Sequence, residues 1–164
     1  MELAGIHHVT LLVDDKDRAA WFYGEVLGFE EKGRPAFDFP GLFYWAGGGR
    51  QEIHLIVAAK PLVREELVIR RANGEELSLR HVHRHAAFLC PDVDAYEKRL
   101  ADHGIEVLYS EQVSTQFDDQ LSQNMKDSWA VMYGAIPLFV KDPFDNLLEL
   151  VPMQSVMPAD DSDR

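Results

Sequence analysis

The chain has 164 residues, enough for one compact domain or for two half-size modules sharing a core. Its makeup, 46% hydrophobic and 27% charged, is that of an ordinary globular protein. A formal net charge of −12, with no basic run interleaved with aromatics, argues against a phosphate-backbone binder, so no nucleic-acid partner is expected. No apolar run approaches the roughly 18 residues needed to span a bilayer, and Glu2 and His7 break up any early signal-like stretch. The expectation is a cytoplasmic protein with no membrane partner. The lone cysteine, Cys90, ends an apolar run and reads as a buried, inert thiol, which leaves no intramolecular disulfide.

The first strand is expected over 6–13, where HHVTLLV is rich in aliphatic and β-branched residues and stops at Asp14 and Asp15. The pleat then sends His7 and His8 to opposite faces, His8 inward and His7 away. In DRAAWFYGEVLGF (17–29), Ala19, Phe22, Tyr23, Val26 and Leu27 recur at helical spacing, and Gly28 supplies a left-handed end. Three short strands follow, FEEKGR (29–34), LFYWAG (42–47) and QEIHLIV (51–57), punctuated by Gly and Pro. GGGR (47–50) lacks a following Gly-Lys-Ser/Thr and reads as a hairpin turn, not a phosphate loop. The first module, about 5–59, is therefore β-α-β-β-β. Residues 60–79 are a linker, in which LVIR is a candidate extra strand and ANGEE a turn.

The second module, about 80–152, starts again. RHAAFLCPD (84–92) gives a strand, and Asp92 or Asp94 caps a helix over 94–104, Asp94 and Glu97 standing at capping-box spacing. Gly104 stops that helix before the strand IEVLY (105–109). Residues 110–134 form an insertion longer than a turn needs, which reads as a functional loop or a lid. AIPLFVKD (135–142) and NLLELVP (146–152) close the module around the turn DPFDN (142–146). The last residues, 159–164, read as an acidic disordered tail, leaving 1–158 as a single domain of two modules.

The modules echo one another. His8 and His85 stand 77 positions apart at the heads of matching strands, and IHLIV (53–57) resembles LELV in 147–151, so that His54 matches Glu149 with an offset of 95. The difference of 18 places the insertion between the second helix and the final strand. If first and last strands are neighbours in each sheet, His8 lies beside His54 and His85 beside Glu149. Any one of these histidines taken alone is more often a structural strand residue than a ligand; the matched set is the stronger signal. Imidazole and carboxylate suit Zn, Ni, Co, Mn or Fe, and two histidines with one carboxylate leave positions open for substrate or oxygen. Glu149, set among Leu147, Leu148, Leu150 and Val151, must be paired or metal-bound if it points inward.

The segments HHVTLLVDD, FYGEVLGFE, IHLIV, HAAFLCPDVDAY and DPFDNLLEL, covering residues 6 to about 152, resemble the vicinal oxygen chelate superfamily, which includes glyoxalase I, methylmalonyl-CoA epimerase, extradiol dioxygenases and fosfomycin- and bleomycin-resistance proteins. The resemblance implies an α+β fold, tandem βαβββ modules forming a cupped mixed sheet around a divalent metal. It carries His8, His85 and Glu149 onto ligand positions, with His54 at a position where the family varies. A histidine there cannot replace the glutamate of glyoxalase I as a proton shuttle, so Glu149 is the candidate base, and His83, sharing a face with His85, a candidate acid or base. Tyr44 and Trp45 alternate, so one lines the cavity, with Tyr44 the choice; Trp129 and Tyr133 have room to sit above substrate. The implied function is a metal-dependent lyase or isomerase that chelates vicinal oxygens of a small substrate and stabilises an enediolate-like anion. Alternatives are an extradiol ring-cleaving dioxygenase with a two-His-one-carboxylate iron site and a non-catalytic antibiotic-binding resistance protein. A homodimer is the expected assembly.

Overall fold

The run HVTLLV forms strand β1, His8–Val13. Asp15 ends it and caps helix α1, Lys16–Ala20, by accepting from the Arg18 amide at 2.9 Å. The helix then widens into a π-helical segment, Trp21–Val26, in which the Leu27 amide reaches back to Phe22 O. The sequence predicts a plain α-helix here. The wider turn instead carries Phe22 with Tyr23, and Val26 with Leu27, onto the buried side as adjacent pairs. Gly28, at φ 75°, ends the segment as expected.

Strands β2 (Glu30–Lys32), β3 (Gly41–Ala46) and β4 (Gln51–Val57) complete a mixed sheet of order β1-β4-β3-β2, with β1 parallel to β4. In the linker, β5 (Val68–Arg70) and β6 (Glu76–Ser78) pair as an antiparallel hairpin. The second module repeats the plan with β7 (His85–Cys90), α2 (Val93–Asp102), β8 (Val107–Tyr109), β9 (Leu138–Lys141) and β10 (Leu147–Pro152), in the order β7-β10-β9-β8. Asp92, not Asp94, caps α2, accepting from the Ala95 amide at 2.9 Å. Strand β8 starts two residues later than the pattern predicts, because the Ile105 amide is still tied to Leu100 O at 2.9 Å. The fold is α+β with tandem βαβββ modules.

The computed structural model describes residues 5–47, 51–59, 68–70, 74, 76–78, 85–109 and 137–153. The insertion at 110–134 with Trp129 and Tyr133, the stretch holding His81 and His83, and the tail 159–164 lie outside the described residues. The chain divides into two compact units, Met1–Glu65 with Lys141–Asn146, and Glu66–Val140 with Leu147–Arg164. No helix among the described residues is long and apolar enough to cross a membrane.

In the first unit, the helix-facing side of the sheet buries Val13, Leu42, Tyr44, Ile53 and Leu55, and Tyr23 stacks beside Tyr44 at 6.4 Å. The turn at 142–146 belongs to this unit and is built around one buried carboxylate. Asp142 Oδ1 accepts from the amides of Phe144 and Asn146, and Oδ2 accepts from the Asn146 side chain at 2.6 Å and from the Tyr23 hydroxyl at 2.7 Å. The Asn146 side chain also donates to Leu12 O at 3.0 Å. Burial pushes the Asp142 carboxyl above its ordinary range, and these four donors oppose the push. In the second unit, α2 packs on β10 with Leu100 fully buried, and Phe139 and Leu147 form a core cluster against which Leu108 packs.

Candidate functional site

The internal repeat holds at the level of single residues. In β1 and β4 the register pairs His8 with Glu52 and Thr10 with His54; in β7 and β10 it pairs His85 with Leu147 and Ala87 with Glu149. Adding 77 to the first strand's numbers and 95 to the last strand's converts one ladder into the other. His54 and Glu149 therefore occupy equivalent positions of the two sheets, as do His8 and His85. Residues paired in register share a face, so each pair of candidates lies on one side of its own sheet.

On the first sheet this is the side opposite α1. Across the strands run His8, Glu52, Trp45 and Glu30 in one row and Thr10, His54, Phe43 and Lys32 in the next. The His54 ring is sandwiched, with Phe43 3.7 Å away at 2° on one contact and His8 4.3 Å away at 17° on another. His54 Nε2 lies 2.8 Å from Glu52 Oε2. An ionised carboxylate only accepts, so the proton sits on Nε2 and the lone pair is left at Nδ1. Lys32 Nζ donates to Glu52 Oε1 at 2.6 Å and lies 4.0 Å from the centre of the Trp45 ring. His54 first, and Lys32 second, hold the Glu52 carboxyl down at about 2.

Two expectations are corrected on this face. His7 precedes β1, so the pleat does not turn it away: its Nδ1 lies 3.1 Å from Nδ1 of His8 and its Nε2 3.8 Å from Glu52 Oε1. Tyr44 pairs with Ile53 on the helix side, where it is 1% exposed, and burial with the nearby Glu31 charge pushes its hydroxyl up to about 12. Trp45 and Phe43, its neighbours along the strand, take the histidine side. Sequence reading missed Glu52, Lys32 and Phe43. The signal for Glu52 was present, since a residue two before His54 on a strand must share its face.

On the second sheet, Glu149 is 4% exposed on a face that also carries Leu147 and Val151, as its spacing predicts. His85 Nε2 stands 3.1 Å from Glu149 Oε2. A carboxylate in such surroundings requires a positive or hydrogen-bonding partner, and the imidazole supplies one. Among the described residues no three His, Cys, Asp or Glu side chains gather into a metal-ligating group. The candidate ligands thus stand as two pairs, one in each unit.

Comparison with known proteins agrees with this architecture. No curated protein matches the sequence significantly. Among solved structures, a glyoxalase family protein from Bacillus anthracis is 25% identical with a TM-score of 0.61, covering 93% of this chain and 97% of its own. Lactoylglutathione lyase from Agrobacterium tumefaciens is 20% identical with a TM-score of 0.56, covering 94% and 97%. TnmS3, an antibiotic-binding protein from Streptomyces sp. CB03234, is 16% identical with a TM-score of 0.58, covering 93% and 98%. The model of the Glyoxalase/Bleomycin resistance protein/Dioxygenase superfamily matches residues 5–150, and the chain belongs to that superfamily.

Proposed function

We propose that the protein is a divalent-metal-dependent enzyme of the lyase or isomerase kind, with His8, His54, His85 and Glu149 as its metal ligands. The observation that carries this reading is the residue-level match of two ladders, which puts a donor side chain at the same two positions of each sheet. The donor chemistry fits. Imidazole and carboxylate are the ligands of Zn, Ni, Co, Mn and Fe, and a carboxylate holding the far nitrogen of a histidine, as Glu52 holds His54, is the usual outer partner of a metal-bound imidazole. The ion, when bound, would chelate neighbouring oxygens of a small substrate and stabilise an enediolate-like anion.

The chain's own groups then divide the work. His54 is held by Glu52 on one nitrogen and sandwiched by two rings, so it is a fixed donor and not a mobile proton carrier. Glu149 is the carboxylate in an apolar setting and is the candidate base, with His85 at 3.1 Å to receive or return a proton. Trp45 gives the substrate an apolar surface beside the histidines, and Phe43 backs the His54 ring. His83 as acid or base, and Trp129 and Tyr133 as contacts above the substrate, complete the proposal, and a second copy of the chain would be the natural assembly partner.

A second reading is favoured by one observation: the ring-rich side of the first sheet, on a fold shared with an antibiotic-binding protein, suits capture of a flat ligand without chemistry. A third, ring-cleaving dioxygenase chemistry, rests on His8, His85 and Glu149 as two imidazoles and a carboxylate around iron. Metal analysis of the purified protein separates the three. Stoichiometric metal lost in both H8A and E149A supports the enzyme, and iron with oxygen uptake on catechols would select the dioxygenase. Absence of stoichiometric metal after loading with Zn, Ni, Co, Mn and Fe would sink both enzymatic readings.

A further inference from the structure

The histidine side of the first sheet runs on to a cation that has no anion among the described residues. Arg34 follows Lys32 by two residues, and its Cζ lies 5.2, 5.1 and 5.8 Å from the ring centres of Phe37, Phe39 and Phe43. Phe43 is the same ring that stacks on His54, so the guanidinium and the candidate ligand share a neighbour. Among the described residues one of the five guanidinium N–H donors is used: Nη2 donates to Phe39 O at 2.6 Å. Nε is buried with no acceptor among the described residues, beside the bare Cα of Gly41. No carboxylate reaches the group among the described residues, although the chain holds 28 acidic side chains against 16 lysines and arginines. Lys32, Lys98 and Lys141 each hold one. Phe37 and Phe39 stack on each other at 5.1 Å and 11° while staying 46% and 39% exposed, an uncommon place for two large rings.

We propose that Arg34, flanked by Phe37 and Phe39, recognises the carboxylate of a flat, apolar small molecule whose other end lies toward His54 and His8; this deepens the reading of that face as a substrate site and rests on it. A guanidinium offers a carboxylate two parallel N–H bonds, and the neighbouring rings lower the local polarity, which strengthens the pairing. The exposed rings give the ligand's apolar body a surface to stack on. Because a chain of net charge −12 repels anions at long range, capture of a carboxylate here depends on this local cation.

The test uses the full chain with phenylacetate as probe, followed by calorimetry and thermal shift, against phenylacetamide as its neutral analogue and acetate and inorganic phosphate as non-aromatic anions. Phenylacetate is expected to bind at millimolar concentration, with phenylacetamide, acetate and phosphate each weaker by roughly ten-fold or more. R34Q should lose that preference, and F37A with F39A should weaken phenylacetate while leaving acetate unchanged. R34K keeps a charge among the rings without the two-pronged geometry and decides the matter if R34Q does not fold. No phenylacetate binding, equal binding of acid and amide, or unchanged affinity in R34K would overturn the proposal. Metal content is measured on the same samples. Arg34-dependent binding in a protein that takes up no metal removes the metal reading alone, and a metal-loaded protein indifferent to phenylacetate removes this one alone.

Discussion

The Tyr23 hydroxyl ties the helical segment Trp21–Val26 to the turn at 142–146 by a hydrogen bond to Asp142, and removing it measures what that bond is worth. The ring is fully buried, and the bond to Asp142 Oδ2 is 2.7 Å long. Tyr23→Phe keeps the ring and deletes one of four donors to a buried carboxylate. A hydrogen bond to a charged group contributes about 1.5–3 kcal/mol, and the three remaining N–H donors hold the loss near ~2 kcal/mol. For a chain of this length that is a fall of about 4–8 °C in Tm. The effect depends on pH in a definite direction. A carboxyl raised above its ordinary 3.8 contributes most to stability below that value, and the contribution is lost as pH rises through the folded-state value. The Tyr23 hydroxyl is one of the groups that oppose the rise, so its removal costs more at neutral pH, where Asp142 must ionise with one donor fewer. Thermal melts of wild type and Y23F at neutral pH and below pH 3.8 provide the comparison. A Tm loss under about 1 °C at neutral pH, or a loss larger in acid, would refute the reasoning.

Gly41→Ala should destabilise the protein by about 1–3 kcal/mol, since the new Cβ would lie 2.5 Å from the backbone oxygen of Leu55 and strands cannot part locally at no cost; urea unfolding checks this. Glu52→Gln should flatten the acid limb of the stability curve. A carboxyl held at about 2 instead of 4.5 contributes stability above 4.5 that is lost as pH falls toward 2, and the amide has no such titration. An unchanged acid limb in E52Q would count against the Lys32–Glu52–His54 contacts. Glu149→Leu should leave the metal-free protein as stable as wild type or more so, because leucine suits the face of Leu147 and Val151, while metal uptake is lost. A marked fall in Tm of the metal-free variant would show that the His85–Glu149 contact holds the sheet together.

The fold was legible in the sequence because it is written twice. Strand runs, helical spacing and the two offsets each depend only on local periodicity, and a strand's faces follow from counting by two. This is why Glu149 falls on the same face as Leu147 and Val151, and why His54 falls beside β1. Where the count started from the wrong residue it failed: His7 lies before the first ladder pair and obeys no pleat. Tyr44 failed for a different reason. Alternation required that Tyr44 and Trp45 part, but only the position of α1 decides which side of the sheet is covered, and the helix took Tyr44.

The sequence by itself determined the two βαβββ modules, the matched positions of His8 with His85 and of His54 with Glu149, and the family to which they point. Tertiary structure alone decided what those side chains touch. Glu52 reaches Lys32 across 20 residues, Tyr23 reaches Asp142 across 119, and Arg34 comes to rest among three phenyl rings. The first two contacts join residues far apart in the chain and the third folds a short loop over its own arginine, and no local period records any of them. They are set by how strands align and which face a helix buries, after the pattern of apolar residues has already chosen the fold.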